Sequence, residues 1–204
     1  MRPLASIAFR HFSTLGSTND EAKKIISSED GHGLFVTADD QTAGRGRHGR
    51  QWVSGAGNFF GSLILAPEAA PEKLQELVFV AALAVSDIIP GSALKWPNDL
   101  LINGRKVSGI LLETHHLPGK PPVVVAGIGI NLVRSPEIPD YPATSLKAEG
   151  QGLSAAGCQR LLAESFIKRY EAWRIQGFEV IEADWMARAH PPFPTDLLKH
   201  AAGH

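Results

Sequence analysis

Residues 100–112 read LLINGRKVSGILL, and this stretch decides how the middle of the chain folds. Asn103 and Gly104 stand between two apolar runs, and this dipeptide is the strongest short-range signal for a tight β-hairpin. The pattern therefore predicts that residues 100–102 pair with residues 107–112 as antiparallel strands. A near-continuously apolar run follows at 122–130, PVVVAGIGI, which is typical of a strand buried at the centre of a sheet.

Outside the hairpin, short apolar runs alternate with helical patterns. Strands are predicted over residues 7–13, 34–38, 58–66 and 92–96, and Pro97-Asn98 separates the last of these from the hairpin. Helices are predicted from Thr18, where Thr18 and Glu21 have capping-box spacing, and over residues 72–88, 154–174 and a shorter piece ending near Arg188. This order predicts an α+β domain in which a mixed, mainly antiparallel sheet carries helices on one face.

Composition limits the class of protein. The 204 residues suffice for one ordinary domain of roughly 100–200 residues with a small appendage. Lys and Arg number 20 against 21 Asp and Glu, so a net charge of −1 provides no global field for binding nucleic acid. The sequence shows neither a signal peptide nor an apolar run of ~18 residues, and we expect no membrane association. The single cysteine, Cys158, predicts a buried core thiol in a protein of the reducing cytoplasm.

The polar segment at 39–57 contains GRGRHGR at residues 44–50. Its glycines allow backbone N–H groups to approach a ligand closely, and its arginines offer paired donors to phosphate or carboxylate. A solvated basic loop or an RNA-contacting patch would show the same composition. Because the segment lies between two predicted buried strands, we favour a loop that closes over a ligand.

Three further polar features interrupt the apolar strands. In KWPND, residues 95–99, Asn98 can contact a nucleobase and Asp99 can hold Mg²⁺ or a ribose hydroxyl, although a polar turn explains both residues taken alone. Lys106 follows the hairpin turn and can neutralise a phosphoryl oxygen if it points inward, whereas most hairpin lysines are only solvated. The glycines of AGIGIN, residues 126–131, suit either a wall against a flat ligand or tight packing against a helix.

Together, and in this order, these segments closely resemble the catalytic domain of biotin protein ligases, the biotin–[carboxylase] ligases. The resemblance rests on Ser17-Thr18-Asn19, on Gln41 with GRGRHGR and Trp52, and on KWPND, KVSGIL and GIGIN. It covers roughly residues 10–186 and implies a fold shared with class II aminoacyl-tRNA synthetases. The implied enzyme joins biotin to ATP, with Mg²⁺, to give biotinoyl-5′-AMP and pyrophosphate. It then transfers biotin to a lysine in the biotin carrier domain of a carboxylase.

The resemblance also assigns roles to individual residues. The implied catalytic residues are Lys106 and Arg45. The implied biotin-binding residues are Ser17, Thr18, Asn19, Gln41, Arg45, Gly46, Arg47, Lys106 and Gly127. The implied nucleotide-binding residues are Arg47, Trp52, Asn98, Asp99 and Asn131, and Asp99 is also the candidate metal ligand. Arg45, Gly46 and Arg47 belong to the loop expected to fold over biotin and the adenylate, and Trp52 is expected to pack under the adenine.

Two departures from that family pattern shape the expectations for the chain ends. Some relatives begin with a helix-turn-helix, but the first predicted strand starts within about a dozen residues of Met1, so we expect no DNA binding. Relatives commonly end in a small β-barrel. Here we expect a catalytic domain over residues 1–188 and a short proline-rich tail over 189–204, with the C-terminal domain absent or truncated. Either a monomer or a homodimer is compatible with the sequence.

Three other functions fit parts of the pattern. A lipoate or octanoate ligase or transferase has the same fold, although GRGRHGR and KWPND match the biotin enzymes better. A biotin-binding module with impaired transfer would retain the same pocket residues. An RNA-binding protein would use the GR-rich loop, which the near-neutral net charge disfavours.

Overall fold

The fold is described from a computed structural model, which covers residues 1–137 and 141–191. The strands of this part of the chain are β1 (Ala8–Leu15), β2 (Leu34–Gln41), β3 (Phe59–Leu65), β4 (Ala93–Lys95), β5 (Asp99–Ile102), β6 (Arg105–His115) and β7 (Val123–Ile130). Its α-helices are α1 (Thr18–Ser28), α2 (Leu77–Asp87), α3 (Ala155–Gln176) and α4 (Phe178–Met186), and short 3₁₀ turns cover Arg47–Gly49 and Pro71–Glu76.

The strands form one sheet in the order β1-β2-β3-β7-β6-β5-β4. The β1–β2 pair is parallel, and the other pairs are antiparallel. Strand β7 is hydrogen-bonded on both sides and is buried along its whole length, as its apolar run predicts. The predicted α+β class with a mixed, mainly antiparallel sheet is therefore confirmed.

The helices are distributed over both faces of the sheet, which corrects the expectation of a single covered face. The larger core joins α2, α3 and α4 to one face, while α1 packs with Val36, Ile64 and Val125 on the opposite face. The stripe Ala22, Ile25 and Ile26 gives α1 an apolar side of its own. A strand that is apolar at every position can bury both faces, so the sequence of β7 does not reveal on which side a given helix lies.

The predicted hairpin forms around Asn103 and Gly104, whose positive φ angles of 50° and 73° suit a tight turn between twisted strands. Pairing begins at Ile102–Arg105 rather than at residue 107. One extra residue then enters β6, because Leu101 pairs with Lys106 and Leu100 pairs with Ser108. This bulge leaves Val107 fully buried in the core and keeps the Lys106 side chain partly exposed. Bulges commonly redirect a side chain in this way.

The C-terminal part of the described chain closes the edge of the sheet. After α4, Ala189 bridges to Leu94, and the His190 N–H donates to the Leu94 carbonyl at 2.8 Å. The first residues of the predicted tail are therefore attached to β4, and residues 192–204 lie outside the described residues. Cys158 is buried in α3, and burial raises the pKa of its thiol to about 12. No helix in the described part of the chain is long and apolar enough to span a membrane.

His32 makes the stability of the fold sensitive to mild acid. Its Nδ1 accepts from the Ala66 N–H at 2.9 Å and its Nε2 lies 3.0 Å from the Pro3 carbonyl, so the neutral ring carries its proton on Nε2. Burial lowers the pKa of His32 below 6.5. His32 therefore takes up a proton more readily in the unfolded chain than in the folded chain. The free energy of unfolding should decrease as pH falls from about 6.5 through the lowered pKa of His32.

The measurement is the free energy of unfolding as a function of pH between about 7.5 and 5 in denaturant titrations. His32→Asn should reduce the slope, and His115→Asn should reduce it further, because burial also lowers the pKa of His115. Equal slopes for His32→Asn and wild type would refute this assignment.

Candidate functional site

A cavity of about 640 Å³ opens on the face of the sheet that also carries α1. It is bounded by the start of α1, the 41–53 segment, residues 95–99 and the glycine-containing parts of β6 and β7. All the site residues predicted from the sequence line it: Ser17, Thr18, Asn19, Gln41, Arg45, Gly46, Arg47, Trp52, Asn98, Asp99, Lys106, Gly127 and Asn131. Segments that are distant in the sequence therefore meet at one site.

Hydroxyl and amide groups at one end of the cavity form a continuous hydrogen-bonded network. The Gln41 Oε1 accepts from the Thr18 N–H at 2.8 Å and from the Thr18 hydroxyl at 3.1 Å. The buried Ser62 hydroxyl lies 2.7 Å from Thr18 Oγ1 and 2.5 Å from Asn19 Oδ1. Thr18 is therefore engaged with Gln41, and the predicted Thr18–Glu21 capping box is wrong. Ser17 is the N-cap, and its side chain makes no capping hydrogen bond.

Three glycines allow side chains to lie directly on the strands. A Cβ atom at Gly127 would be 2.2 Å from Asn19 Oδ1, and one at Gly129 would be 2.4 Å from the Trp52 indole. A Cβ atom at Gly109 would be 2.8 Å from the same indole. The glycines of GIGIN therefore form a wall against the cavity, in agreement with the first of the two sequence readings. The competing interpretation, tight packing against a helix, applies to Gly127, because its neighbour Asn19 belongs to α1, whereas the neighbour of Gly129 is the Trp52 ring.

The GRGRHGR segment folds as a short hairpin-like loop. The Gly46 N–H donates to the Arg50 carbonyl at 2.7 Å, and the Trp52 N–H donates to the Gly44 carbonyl at 2.9 Å. His48, at the tip, has a left-handed φ of 56°. These bonds give the loop a defined shape next to the strands, as expected for a segment that closes over a ligand.

The loop arginines reach across the cavity to other segments. Arg45 Nη2 lies 2.7 Å from an Asp20 carboxylate oxygen and 3.5 Å from Glu113 Oε2. Arg47 Nη1 donates to Asn98 Oδ1 at 3.4 Å. Arg45 is therefore connected to α1 and β6, and Arg47 is connected to the KWPND segment.

The KWPND segment is fixed by its own backbone as well as by β6. The Trp96–Pro97 peptide bond is cis, and β4 ends at Lys95 and β5 begins at Asp99, so the strand is broken where the sequence predicted a break. Asn98 Nδ2 donates to the Ile110 carbonyl at 2.7 Å, and the Ile110 N–H donates to the Asn98 carbonyl at 2.9 Å. Asn98 therefore lies at a defined place on the cavity wall.

Lys106 points into the cavity and forms an ion pair with Asp99. Lys106 Nζ is 2.7 Å from Asp99 Oδ1, and the Tyr141 hydroxyl donates to Asp99 Oδ2 at 2.6 Å. Burial, together with the hydrogen bond to Asp99, raises the pKa of Tyr141, so its phenol stays a donor at neutral pH. The sequence reading in which Lys106 is a solvated hairpin lysine is therefore wrong.

The cavity has an excess of positive charge. Arg45, Arg47, Arg50, Lys95 and Lys106 line it, whereas Asp99 is the one carboxylate among the described lining residues, and Asp20 and Glu113 pair with Arg45 at its border. The ammonium groups of Lys95 and Lys106 also lie over the Tyr141 ring, at 4.4 Å and 5.6 Å from its centroid. Cations held in a partly closed site attract anionic ligands more strongly than they would in open solvent.

Two buried polar atoms of the cavity have no partner among the described residues. They are Trp52 Nε1 and Asn131 Oδ1. The amide nitrogen of Asn131 donates to the Thr144 carbonyl at 3.0 Å, so only its oxygen is left. Because an unpaired buried polar group costs about 1–3 kcal/mol, these atoms indicate positions where a ligand or water completes the site.

The described side chains of the cavity offer too few metal ligands by themselves, so a metal ion there would also need ligand atoms from a bound nucleotide. No three His, Cys, Asp or Glu side chains within residues 1–137 and 141–191 are grouped to hold a metal by themselves. Mg²⁺ at phosphate sites commonly takes one or two carboxylates, and phosphates and water supply its other ligands. Asp99 fits such an ion provided that a nucleotide phosphate shares the coordination.

Several residues of the site were not predicted from the sequence. Ser62 and Glu113 lie within predicted strands or at their ends, and their apolar neighbours gave no sign of a functional contact. Tyr141 lies in a proline-containing loop without periodicity. Alternate residues of a strand lie on the same face, and Glu113 shares a face of β6 with Gly109 and Leu111. This alternation could have identified Glu113 as a candidate from the sequence.

Comparisons with known proteins show to which family the chain belongs. Residues 12–131 match the model of the biotin/lipoate A/B protein ligase family. The chain is 40% identical over 186 residues to a biotin–[acetyl-CoA-carboxylase] ligase of Paracoccus denitrificans, covering 85% of this chain and 77% of that protein. It is 39% identical over 188 residues to the bifunctional ligase/repressor BirA of Bacillus subtilis, covering 86% of this chain and 57% of that protein.

A solved structure provides the same match in three dimensions. The biotin protein ligase of Aquifex aeolicus, in complex with biotin and ATP, superposes with a TM-score of 0.74 at 28% identity. The match covers 89% of this chain and 78% of that chain. The chain therefore belongs to the biotin/lipoate A/B protein ligase family and contains a biotin protein ligase catalytic domain.

Proposed function

We propose that this protein is an ATP-dependent biotin ligase that activates biotin as biotinoyl-5′-AMP and passes it to a carrier lysine. In the first step, a biotin carboxylate oxygen attacks the α-phosphorus of ATP, and the bond to pyrophosphate breaks. In the second step, the lysine amine attacks the acyl carbon and AMP leaves. The observation that carries the proposal is that Arg45, Arg47 and Lys106 line one cavity with the glycine wall.

The hydroxyl and amide network is the proposed site for the biotin head group. A ureido ring has both N–H donors and a carbonyl acceptor, and Ser17, Thr18, Asn19 and Gln41 offer hydroxyl and amide partners at the cavity wall. Gly127 lets the Asn19 side chain lie directly against β7, because a Cβ atom at Gly127 would be 2.2 Å from Asn19 Oδ1. The network holds these groups in place before the ligand arrives, which lowers the cost of ordering them on binding.

Lys106 and Arg45 are the proposed catalytic cations. Attack of a carboxylate on a phosphate brings two anions together, so the barrier falls when fixed positive charge faces the forming bond. The ion pair with Asp99 holds the Lys106 ammonium at the cavity wall in the absence of substrate. We propose that Lys106 contacts both the biotin carboxylate and the α-phosphate, with Arg45 and Gly46 closing over the acyl group.

The nucleotide is proposed to lie next to Arg47, Trp52, Asn98, Asp99 and Asn131. Asn131 Oδ1 and Trp52 Nε1 are buried at the cavity and have no hydrogen-bond partner within residues 1–137 and 141–191, so both are available to a nucleotide. The Trp52 ring already rests on the glycine wall and would present a flat surface to adenine. Asn98 lies on the same wall, where its hydrogen bond with Arg47 would be exchanged for ligand contacts.

Mg²⁺, the carrier domain and the cellular setting complete the proposal. Asp99 would hold Mg²⁺ jointly with ATP phosphates, where the ion would offset negative charge. The acceptor would be the biotin carrier domain of a biotin-dependent carboxylase, in keeping with the names of the relatives. We place the reaction in the cytoplasm, where the free Cys158 would remain reduced.

The proposed lid function of Arg47 gives a testable consequence. Arg47→Gly should release biotinoyl-5′-AMP several-fold faster than wild type while its synthesis continues, because the loop loses its link to Asn98 and its charge next to the adenylate. The measurement is the rate at which labelled adenylate appears in free solution during single-turnover reactions. Exposed Arg160, on α3, provides a matched Arg→Gly control. Release no faster than from wild type would remove the lid role.

The proposal as a whole is tested by substrate choice and products. Pyrophosphate release should depend on biotin and ATP, and labelled biotin should appear on a lysine of a purified carrier domain. Lipoate and octanoate at equal concentration should give neither product. A preference for lipoate would identify the lipoate branch of the family, and biotin binding without products would identify a binding module.

A further inference from the structure

We infer that Glu113 is a positioning residue of the proposed reaction, because its carboxylate orients the amide of Asn19 in the biotin slot and connects it to Arg45. The inference rests on the proposed function and deepens it. Glu113 is not part of the residue set that the sequence resemblance assigned. Its geometry alone places it between the head-group network and the loop that closes over the ligand.

The position of Glu113 follows from the register of β6. In the β6–β7 pair, Gly109 faces Gly129, Leu111 faces Gly127 and Glu113 faces Val125. Directly opposed residues of antiparallel strands share a face, and alternate residues of one strand do so as well. Glu113 is therefore on the cavity face of β6, at the border with α1. This places a carboxylate beside the helix that carries Asn19.

A carboxylate at this position fixes which end of the Asn19 amide faces which neighbour. An ionised carboxylate only accepts hydrogen bonds, so the Asn19 nitrogen, not its oxygen, must face Glu113. The Asn19 Nδ2 donates to Glu113 Oε2 at 2.6 Å, while Asn19 Oδ1 lies 2.5 Å from the Ser62 hydroxyl. Asn19 is buried, and its Oδ1 lies directly against the backbone of β7 at Gly127. The amide therefore cannot move toward β7.

This orientation determines what Asn19 offers to a ligand. Its second Nδ2–H and the remaining lone pair of Oδ1 keep defined directions at the cavity wall. If the amide flipped, an oxygen would face the Glu113 carboxylate and an NH₂ group would face Ser62. A ureido ring presents its donors and acceptor at fixed angles, so it discriminates between these two arrangements.

The same carboxylate oxygen also links the slot to the loop. Arg45 Nη2 lies 3.5 Å from Glu113 Oε2, and the same nitrogen is 2.7 Å from Asp20. Glu113 and Asp20 thus hold the guanidinium at the border of the head-group network. The Glu113 bond to Asn19 is the shorter of the two Glu113 contacts, so the orientation of Asn19 is the principal effect and the link to Arg45 is secondary.

The experiment is a double-mutant cycle on biotin affinity, measured by calorimetry, with Asn19→Asp, Glu113→Gln and the combined variant. Asn19→Asp puts two carboxylates in contact and should weaken biotin binding at least about tenfold. Glu113→Gln retains an acceptor for Asn19 but no longer excludes the flipped amide, so it should weaken biotin binding less than Asn19→Asp does. In the combined variant, the new amide at position 113 can donate to the new carboxylate at position 19, which should recover at least about threefold of the loss.

Glu113→Leu, which removes the acceptor, should weaken biotin binding about tenfold or more, and circular dichroism reports whether this variant folds. Exposed Glu164 supplies the matched control, since Glu164→Gln should leave the Kd unchanged. A merely structural Glu113 would change thermal stability in Glu113→Leu without changing the Kd, and the combined variant would show no recovery. Either result overturns the inference while wild-type biotin binding still supports the proposed function. If wild type binds no biotin, the proposed function and the inference both fail.

Discussion

Replacing Lys106 with Ala should reduce the rate of biotin-dependent pyrophosphate release by about 100-fold or more. Lys106 supplies a fixed ammonium at the cavity wall, and removing one preorganised donor from a developing charge typically costs about 10²–10³ in rate. The loss should appear mainly in kcat, because the charge on the reacting phosphate grows during the reaction. Stopped-flow pyrophosphate detection with saturating biotin and ATP measures this rate.

Two control measurements distinguish a loss of catalysis in Lys106→Ala from a loss of folding. The Lys106 side chain is 20% exposed and its backbone hydrogen bonds do not involve the ammonium, so Lys106→Ala should keep the wild-type circular dichroism spectrum. Lys168→Ala, at an exposed position on α3, should retain full activity. A pyrophosphate rate within about threefold of wild type in Lys106→Ala would remove this residue from the catalytic set.

Gly127→Ala should weaken biotin binding by about 5- to 150-fold. A Cβ atom at this position would be 2.2 Å from Asn19 Oδ1 and 2.9 Å from Asn19 Cγ, and β7 is central and cannot retreat. Asn19 must therefore leave its place between Ser62 and Glu113. The broken bonds of a buried amide cost about 1–3 kcal/mol, which corresponds to this range of affinity.

Calorimetric titration with biotin measures the effect, and Gly152→Ala is the matched control. A Cβ atom at Gly152 would meet nothing within 4 Å, and this glycine has no positive φ. Gly152→Ala should therefore bind biotin like wild type. Undiminished affinity in Gly127→Ala, in a variant that melts cooperatively, would show that the head group does not depend on the position of Asn19.

The sequence predicted the parts of the fold that local chemistry controls. Asn103-Gly104 predicted the hairpin because both residues tolerate the positive φ angles of a tight turn. The apolar run of β7 predicted a central strand because only a fully covered strand is apolar on both faces. Ser154 and Gly177 delimit α3 as N-cap and C-cap, close to the predicted limits of 154 and 174.

The remaining features depend on contacts between distant segments. The side on which α1 packs is set by Val36, Ile64 and Val125, whose strands alternate between two buried faces. Thr18 bonds to Gln41 rather than to its own helix, which no local spacing can reveal.

The residues of the candidate site also differ in whether local sequence or tertiary contacts reveal them. The arginine loop and KWPND were visible because glycine, arginine and carboxylate are unusual between buried strands. Glu113 and Tyr141 were not visible, because their roles arise from the β6–β7 register and from a loop that crosses the cavity to reach Asp99. Motifs therefore indicated which residues line the cavity, and tertiary structure was needed to find the residues that hold them in place.

A crystal structure with biotin and a non-hydrolysable ATP analogue tests the central claim most directly. The account predicts that the biotin carboxylate and the α-phosphate lie within hydrogen-bond distance of Lys106 Nζ, with the Arg45 guanidinium against the same pair of groups. Biotin bound elsewhere, or bound in the cavity with its carboxylate directed away from Lys106 and Arg45, would contradict it.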